Sequence, residues 1–223
     1  MADARLAEMI SKMAHDLRSP LTSLKGFSGM LVTKWGRFDD AQKLEFVEAI
    51  SFDAGRMARI VTEVIDLARL EAGRLELKRT RKPVAEIARA ATHAVAHVGG
   101  SERIAVDVPE ELAVHADSER LELVLSNLLE NALQFADEGP IVLTARTEGD
   151  DSVVIEVRDS GPGIEEARDE IFVGAPSESG AGVGLYLGRG IIELHGGTLD
   201  VGPAPGGGSV FTIDLPRGGS ADE

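Results

Sequence analysis

The chain has 223 residues, 23 Lys+Arg against 38 Asp+Glu, a net charge of −15 and no cysteine. That balance disfavours nucleic-acid backbones and anionic membrane surfaces as partners, and it leaves neither disulfides nor thiolate metal sites. No apolar run reaches the ~20 residues of a membrane span and no signal-peptide pattern opens the sequence, so a cytoplasmic protein without direct membrane insertion is expected.

Residues 1–73 are poor in glycine and read as two helices. Leu6, Ile10, Met13, Leu17, Leu21, Leu24, Ser28 and Leu31 mark one face of the first. Val47, Ile50, Ala54, Met57, Val61, Val64 and Ala68 mark one face of the second, at the 3-4 spacing of a bundle seam, and Ile60, Ile65 and Leu67 widen it. Between them "KWGRFDD" offers Gly36 as a stop and Asp39 as an N-cap, with Trp35 read as a packing residue. A lone helical hairpin leaves its apolar face wet, so the wide stripe predicts a four-helix-bundle homodimer.

Inside the first helix stands "MAHDLRSPLTSLKGF", residues 13–27. Pro20 removes the amide that would bond the Asp16 carbonyl, which predicts a bend just after His15. A neutral imidazole, with a reference pKa of about 6.5, is nucleophilic near neutral pH. The adjoining Asp16 carboxylate can hold one ring nitrogen and raise the basicity of the other. Such a histidine suits attack on phosphorus; a plain surface pair is the competing reading of the same two residues.

A basic joint, residues 74–83, ends in Pro83, which suits the first helical position, N1. Residues 84–217 read as α/β. "VAEIARAATHAVAHV" and "SERLELVLSNLLENALQFA" have helical periodicity, with Asp117 or Ser118 as a cap for the second. "RIAVDV", "PIVLTARTE", "SVVIEVRD", "GTLDVG" and "SVFTIDL" read as strands, and "GVGLYLGRGIIELHGG" as a helix stopped by Gly196–Gly197. Neighbouring strands with helices on one face imply a two-layer sandwich. "APGGGS" reads as a flexible hairpin connection and residues 218–223 as a frayed tail. His93 and His97 lie four apart without a third ligand, and His195 stands at a helix end, where a cation suits the dipole.

Three stretches in this part carry a pattern. Asn127 and Asn131 of "NLLENALQFA" share one helix face, "RDSGPGI" follows a strand, and "SGAGVGLYLG" puts glycines before a helix start, where free amides favour phosphates. In this order, behind "HDLRSPLTSLKGF", they resemble the H, N, G1 and G2 boxes of the sensor histidine kinases of two-component signalling. The resemblance spans roughly residues 6–215. It implies a dimerisation and histidine-phosphotransfer hairpin followed by an ATP-binding sandwich of the gyrase and histidine-kinase superfamily.

Carried over residue by residue, the resemblance gives His15 as acceptor of the ATP γ-phosphoryl group and Asp16 as its orienting base. Asn131 would hold Mg2+, with Asn127 one turn earlier near the phosphates. Asp159 would accept the adenine amine, with Gly161 and Gly163 allowing close approach, and Gly180, Gly182 and Gly184 would form the lid hinge. Superfamily members that hydrolyse ATP have a glutamate where Asn127 stands, so simple hydrolysis is expected to be poor. Ser19, one turn beyond His15, stands where the family places a residue that helps dephosphorylate the partner regulator. The implied partners are a second copy of the chain, the receiver domain of a response regulator, and an input domain outside these residues. Gln134 replaces a usual lysine or arginine and the lid stretch is short, with Phe172 its only aromatic. A non-catalytic phosphotransfer or scaffold dimer is the alternative these departures support.

Overall fold

The computed structural model describes residues 2–96, 98–136, 138–149, 151–163, 170–172 and 181–218. The chain divides into two units, Met1–Gly73 and Arg74–Glu223.

The first unit is a helical hairpin of α1 (Ala2–Lys34) and α2 (Asp40–Glu71), joined through a 3-10 turn at Trp35–Arg37. Pro20 lies inside α1 without ending it. Asp39 caps α2 as the sequence predicts: its side chain accepts from Gln42 N at 2.8 Å, and Gln42 Oε1 accepts from Asp39 N at 3.2 Å. This reciprocal box satisfies two amides that a helix start otherwise leaves open. Beside the turn, Phe27 stacks on Phe46 (centroids 5.4 Å apart) and Phe38 meets Phe46 edge-on. Trp35 departs from its predicted packing role. It is 56% exposed, with the Lys43 ammonium 5.0 Å from its ring centre. The row Val47, Ala54, Val61 and Ala68, spaced every seven residues, is exposed throughout.

The second unit runs β1 (Thr80–Pro83), α3 (Val84–Ala94), β2 (Ile104–Asp107), β3 (Ala113–Ala116), α4 (Ser118–Phe135), β4 (Ile141–Glu148), β5 (Ser152–Arg158), α5 (Ala181–Leu194), β6 (Thr198–Pro203) and β7 (Ser209–Pro216). The main sheet has the order β2-β4-β5-β7-β6, with β2 parallel to β4 and every other pair antiparallel. β1, drawn from the basic joint, pairs with β3 in a separate two-stranded sheet. Alternation sends Leu143, Val157, Phe211 and Val201 to one face in a continuous register row, all buried. α4 and α5 pack over the sheet, and α3 packs on α4. Pro83 sits one position before the expected first helical residue: α3 starts at Val84, and Pro83 is its N-cap in extended backbone.

His195 is a correction. It is 3% exposed; its Nε2 accepts from Asp117 N at 3.0 Å, so its Nδ1 carries the proton and donates to Ile191 O at 2.8 Å. Burial lowers its pKa below the ordinary histidine value. This is a neutral bridge between the end of α5 and the start of α4, and no cation on a helix dipole. The Asp117 side chain meanwhile caps α4 by accepting from Arg120 N, and it also accepts from Lys78 N at 2.8 Å.

Candidate active site

α4 is the spine of the site, and it carries both asparagines. Asn127 is 8% exposed, and its Nδ2 has no hydrogen-bond partner among the described residues. Gly184, in the first turns of α5, lies directly against it: a Cβ there would stand 3.1 Å from Asn127 Nδ2. One turn on, Gly188 faces Val124, where a Cβ would make ordinary contact at 3.6 Å. Gly184 thus lets α5 approach α4 at the level of Asn127, whereas the space at Gly188 would take a methyl group. Asn131 is half-buried and its amide shows no partner among the described residues.

The C-terminal end of α4 meets the turn after β5. A Cβ on Gly161 would come 3.0 Å from the Phe135 carbonyl oxygen and 3.1 Å from Asp159 Oδ1, so a side chain there would crowd both. Asp159 is 6% exposed, and its Oδ1 accepts from Gly161 N at 2.8 Å and Ser209 N at 3.1 Å. Its Oδ2 has no partner among the described residues. The loop between α4 and β4 is tied from two sides. Arg103 donates to the Ala136 and Gly139 carbonyls, and Ser160 Oγ donates to the Pro140 carbonyl at 3.2 Å.

Asn127, Asn131, Asp159, Gly161 and Gly184 therefore gather along one helix. Gly182 is buried in the first turn of α5, Gly163 adjoins the connection between β6 and β7, and Gly180 lies outside the described residues, as does His97. Sequence reasoning passed over Ser209 and Gly208, whose contact with Asp159 leaves no local signal, and Phe135, whose ring is 43% exposed at the end of α4. Phe172 is buried beneath the Arg189 guanidinium, 5.2 Å from its ring centre.

A buried amide nitrogen without a partner, that of Asn127, calls for a ligand, and with the half-buried Asn131 and the open oxygen of Asp159 it fits a nucleotide. A free carboxylate oxygen suits an exocyclic amine, while amide groups suit phosphate oxygens and a hard cation. Among the described residues no group of three or more His, Cys, Asp or Glu side chains could hold a metal by itself. A Mg2+ here would need phosphate oxygens beside the Asn131 carbonyl, which is how that ion is ordinarily held.

In the first unit His15 is exposed, its side chain 76% accessible, with Nδ1 3.4 Å from Asp16 Oδ1. That is longer than a made hydrogen bond; catalytic hydrogen bonds often tighten only in the reacting complex. Ser19 is also exposed, and its hydroxyl makes no hydrogen bond among the described residues. Thr22 and Ser28 instead return their hydroxyls to carbonyls four residues back.

Residues 5–73 match the His Kinase A (phospho-acceptor) domain, and residues 116–219 match the histidine kinase-, DNA gyrase B- and HSP90-like ATPase. The sensor histidine kinase ZraS of Klebsiella oxytoca is 33% identical over 96% of this chain and 46% of its own length. The histidine protein kinase DivJ of Caulobacter vibrioides is 32% identical over 94% of this chain and 37% of its own. The chain thus spans less than half of either relative. Full-length ShkA, solved with AMPPNP, superposes with a TM-score of 0.66 at 25% identity, over 96% of this chain and 47% of that one. No helix among the described residues is long and apolar enough to cross a membrane.

Proposed function

The chain belongs to the sensor histidine kinases of two-component systems, and from that premise we propose that it moves the γ-phosphoryl group of ATP to His15 and then to an aspartate of a response-regulator receiver domain. The observation that carries this reading is the set of unpaired polar atoms along α4, Asn127 Nδ2 and Asp159 Oδ2, in one chain with an exposed histidine beside a carboxylate.

Asp159 Oδ2 accepts the adenine amine, and Gly161 lets the base approach the backbone. The exposed Phe135 ring is available to stack on the base. Asn127 donates to phosphate oxygen. Asn131 would hold Mg2+ through its carbonyl oxygen, and a bound Mg2+ would supply neutralisation of phosphate charge in a chain that is itself acidic. With the Nδ1 proton turned to Asp16, the lone pair on His15 Nε2 forms the N–P bond as the bond from γ-phosphorus to the bridging oxygen breaks and ADP leaves. Asp16 stabilises the positive imidazole that forms, or takes its Nδ1 proton. Asn127, an amide, cannot serve as base for water, which keeps hydrolysis slow.

The exposed heptad row on α2 pairs with a second copy to complete a four-helix bundle in the cytoplasm. Ser19 gives the dimer a weak phosphatase activity toward the phosphorylated regulator.

The test is incorporation of label from γ-labelled ATP. The parent chain should acquire an acid-labile, alkali-stable label, and His15→Gln should acquire none while binding ATP as before. Persistent labelling of that variant removes His15 from the reaction. Absence of label in the parent, with ATP bound, leaves a non-catalytic scaffold dimer.

A further inference from the structure

The run between β6 and β7 carries three successive glycines and reads by composition as slack. The structure specifies it residue by residue. Gly206, Gly207 and Gly208 hold φ of +91, +102 and +87°. Ala204 N donates to Gly208 O at 3.0 Å, Gly207 N donates to Ala204 O at 3.1 Å, and the Arg158 guanidinium donates to the Pro205 carbonyl. Gly208 backs onto Asp159. A Cβ there would lie 2.7 Å from the Asp159 carbonyl carbon and 2.8 Å from Ser160 Cα, nearer still to the carbonyl oxygen. Gly163 approaches as well, since a Cβ there would stand 3.1 Å from the Gly208 carbonyl oxygen. The next residue, Ser209, is 5% exposed and bonds Asp159 twice. Its carbonyl accepts from Asp159 N at 2.9 Å, and its amide donates to Asp159 Oδ1 at 3.1 Å.

We propose that Gly208 is a positioning residue for base recognition, acting through Asp159; this rests on the reading of Asp159 as the adenine acceptor. A carboxylate has two equivalent oxygens and a soft terminal torsion, so nothing in the side chain itself chooses which oxygen faces a ligand. Two backbone amides, from Gly161 and Ser209, occupy Oδ1 and break that equivalence, leaving Oδ2 as the acceptor. The Ser209 amide reaches Oδ1 only because Gly208, without a side chain and in a left-handed conformation, lets the hairpin close onto the Asp159 backbone. The glycine-rich connection is therefore a clamp whose output is the orientation of one carboxylate. Its loss should weaken discrimination at the purine 6-position and leave triphosphate binding in place.

The experiment measures the affinities of the full chain for ATP, which bears a 6-amine, and for inosine triphosphate, which bears a carbonyl there. The parent should prefer ATP by about ten- to a hundredfold. Asp159→Asn keeps Oδ1 for the two amides and turns a donor toward the base, so the preference should vanish or reverse. Gly208→Ala should reduce the preference severalfold through weaker ATP binding, with the affinity for inosine triphosphate held. Gly149→Ala, another left-handed position (φ +62°) with nothing within 4 Å of the added Cβ, controls for backbone strain and should keep the parent ratio. If Gly208→Ala does not fold, Arg158→Ala removes the exposed tether to Pro205 and should give a smaller fall in the same direction. A parental ratio in the clamp variant that folds, while Asp159→Asn abolishes the preference, overturns the clamp alone. An unchanged ratio in Asp159→Asn overturns the adenine reading and the clamp with it.

Discussion

Along α2 the seven-residue row of Val47, Ala54, Val61 and Ala68 is apolar and exposed, whereas along β7 Phe211, Ile213 and Leu215 are at most 5% exposed. Both elements carry a regular apolar pattern, at heptad spacing in one and alternating in the other. In the α/β unit each apolar row finds its cover within the same unit, from α4 and α5. The hairpin has only two helices and more apolar surface than two helices can cover. A regular apolar pattern therefore predicts burial, but it does not say whether the covering surface lies in the same chain.

The largest expected effect breaks this contrast at the hairpin. Val61→Glu with Ile65→Glu puts two carboxylates per chain on side chains that are each 45% exposed in the single chain. Covering the exposed 45% of each side chain is worth at most about half of the ~1.5–3 kcal/mol of a full burial, and each charge adds a desolvation cost. The dissociation constant of the proposed homodimer of this chain should rise by about a hundredfold or more, measured by sedimentation. ATP affinity should not move, because the residues proposed to hold the nucleotide lie in the unit that closes its own core. A dimer of unchanged stability would place the interface on another face.

Legibility followed the same division. Long periodic elements could be read: α1, α2, α4, α5 and the five strands of the main sheet all showed in apolar spacing, and the Asp39 cap showed in residue type. β1 did not show, because "TRKP" is four polar or rigid residues made into a strand only by pairing with β3. Asp159, Asn127 and Gly184 could be singled out through the family boxes that their stretches resemble. The contacts of Ser209 with Asp159, and of His195 with Asp117, join residues 50 and 78 positions apart and have no local signature. Glycine content misled in "APGGGS", since left-handed φ is as much a requirement for a fixed tight turn as a sign of freedom. His195 misled because a helix-end histidine is read as a cation until its burial is known.

His195 sharpens the contrast with a smaller effect. Its bridge requires the neutral imidazole, with Nε2 as acceptor, and burial lowers its pKa in the folded unit, with the Ile191 hydrogen bond and Asp117 opposing the shift and Arg79 adding to it. The unfolded histidine titrates near 6.5. Below that pH the unfolded chain takes up a proton that the folded unit refuses, so this contribution is full above about 6.5 and is lost as pH falls through the lower folded pKa. The stability of the α/β unit should decline toward acid by at most about 1.4 kcal/mol per pH unit from this group. His195→Gln should be less stable at neutral pH and should lose that part of the acid slope. Urea titrations of both proteins between neutral and mildly acid pH decide it, and an identical slope in the variant would show that other groups set it.

The smallest expected effect lies at Ser19, on the open surface of α1 one turn from His15. Its hydroxyl is exposed and makes no hydrogen bond among the described residues, whereas Thr22 spends its hydroxyl on the Arg18 carbonyl at 2.8 Å. A free hydroxyl can donate to and accept from an attacking water. Serine lacks the β-methyl that narrows the rotamers of threonine, so it holds that water loosely. A misplacement of ~1 Å can cost ~10²-fold in rate, which sets the scale of what a tighter side chain can recover. Ser19→Thr should therefore raise the phosphatase activity toward the phosphorylated regulator, and Ser19→Ala should remove it, with labelling of His15 nearly unchanged in both because the acceptor nitrogen and Asp16 are untouched. The measurement is the decay of the phosphorylated cognate regulator with each variant, beside the rate of label uptake from ATP. Equal decay with Ser19→Ala and with the parent would leave Ser19 an ordinary surface serine, and regulator dephosphorylation would then owe nothing to the turn that follows His15.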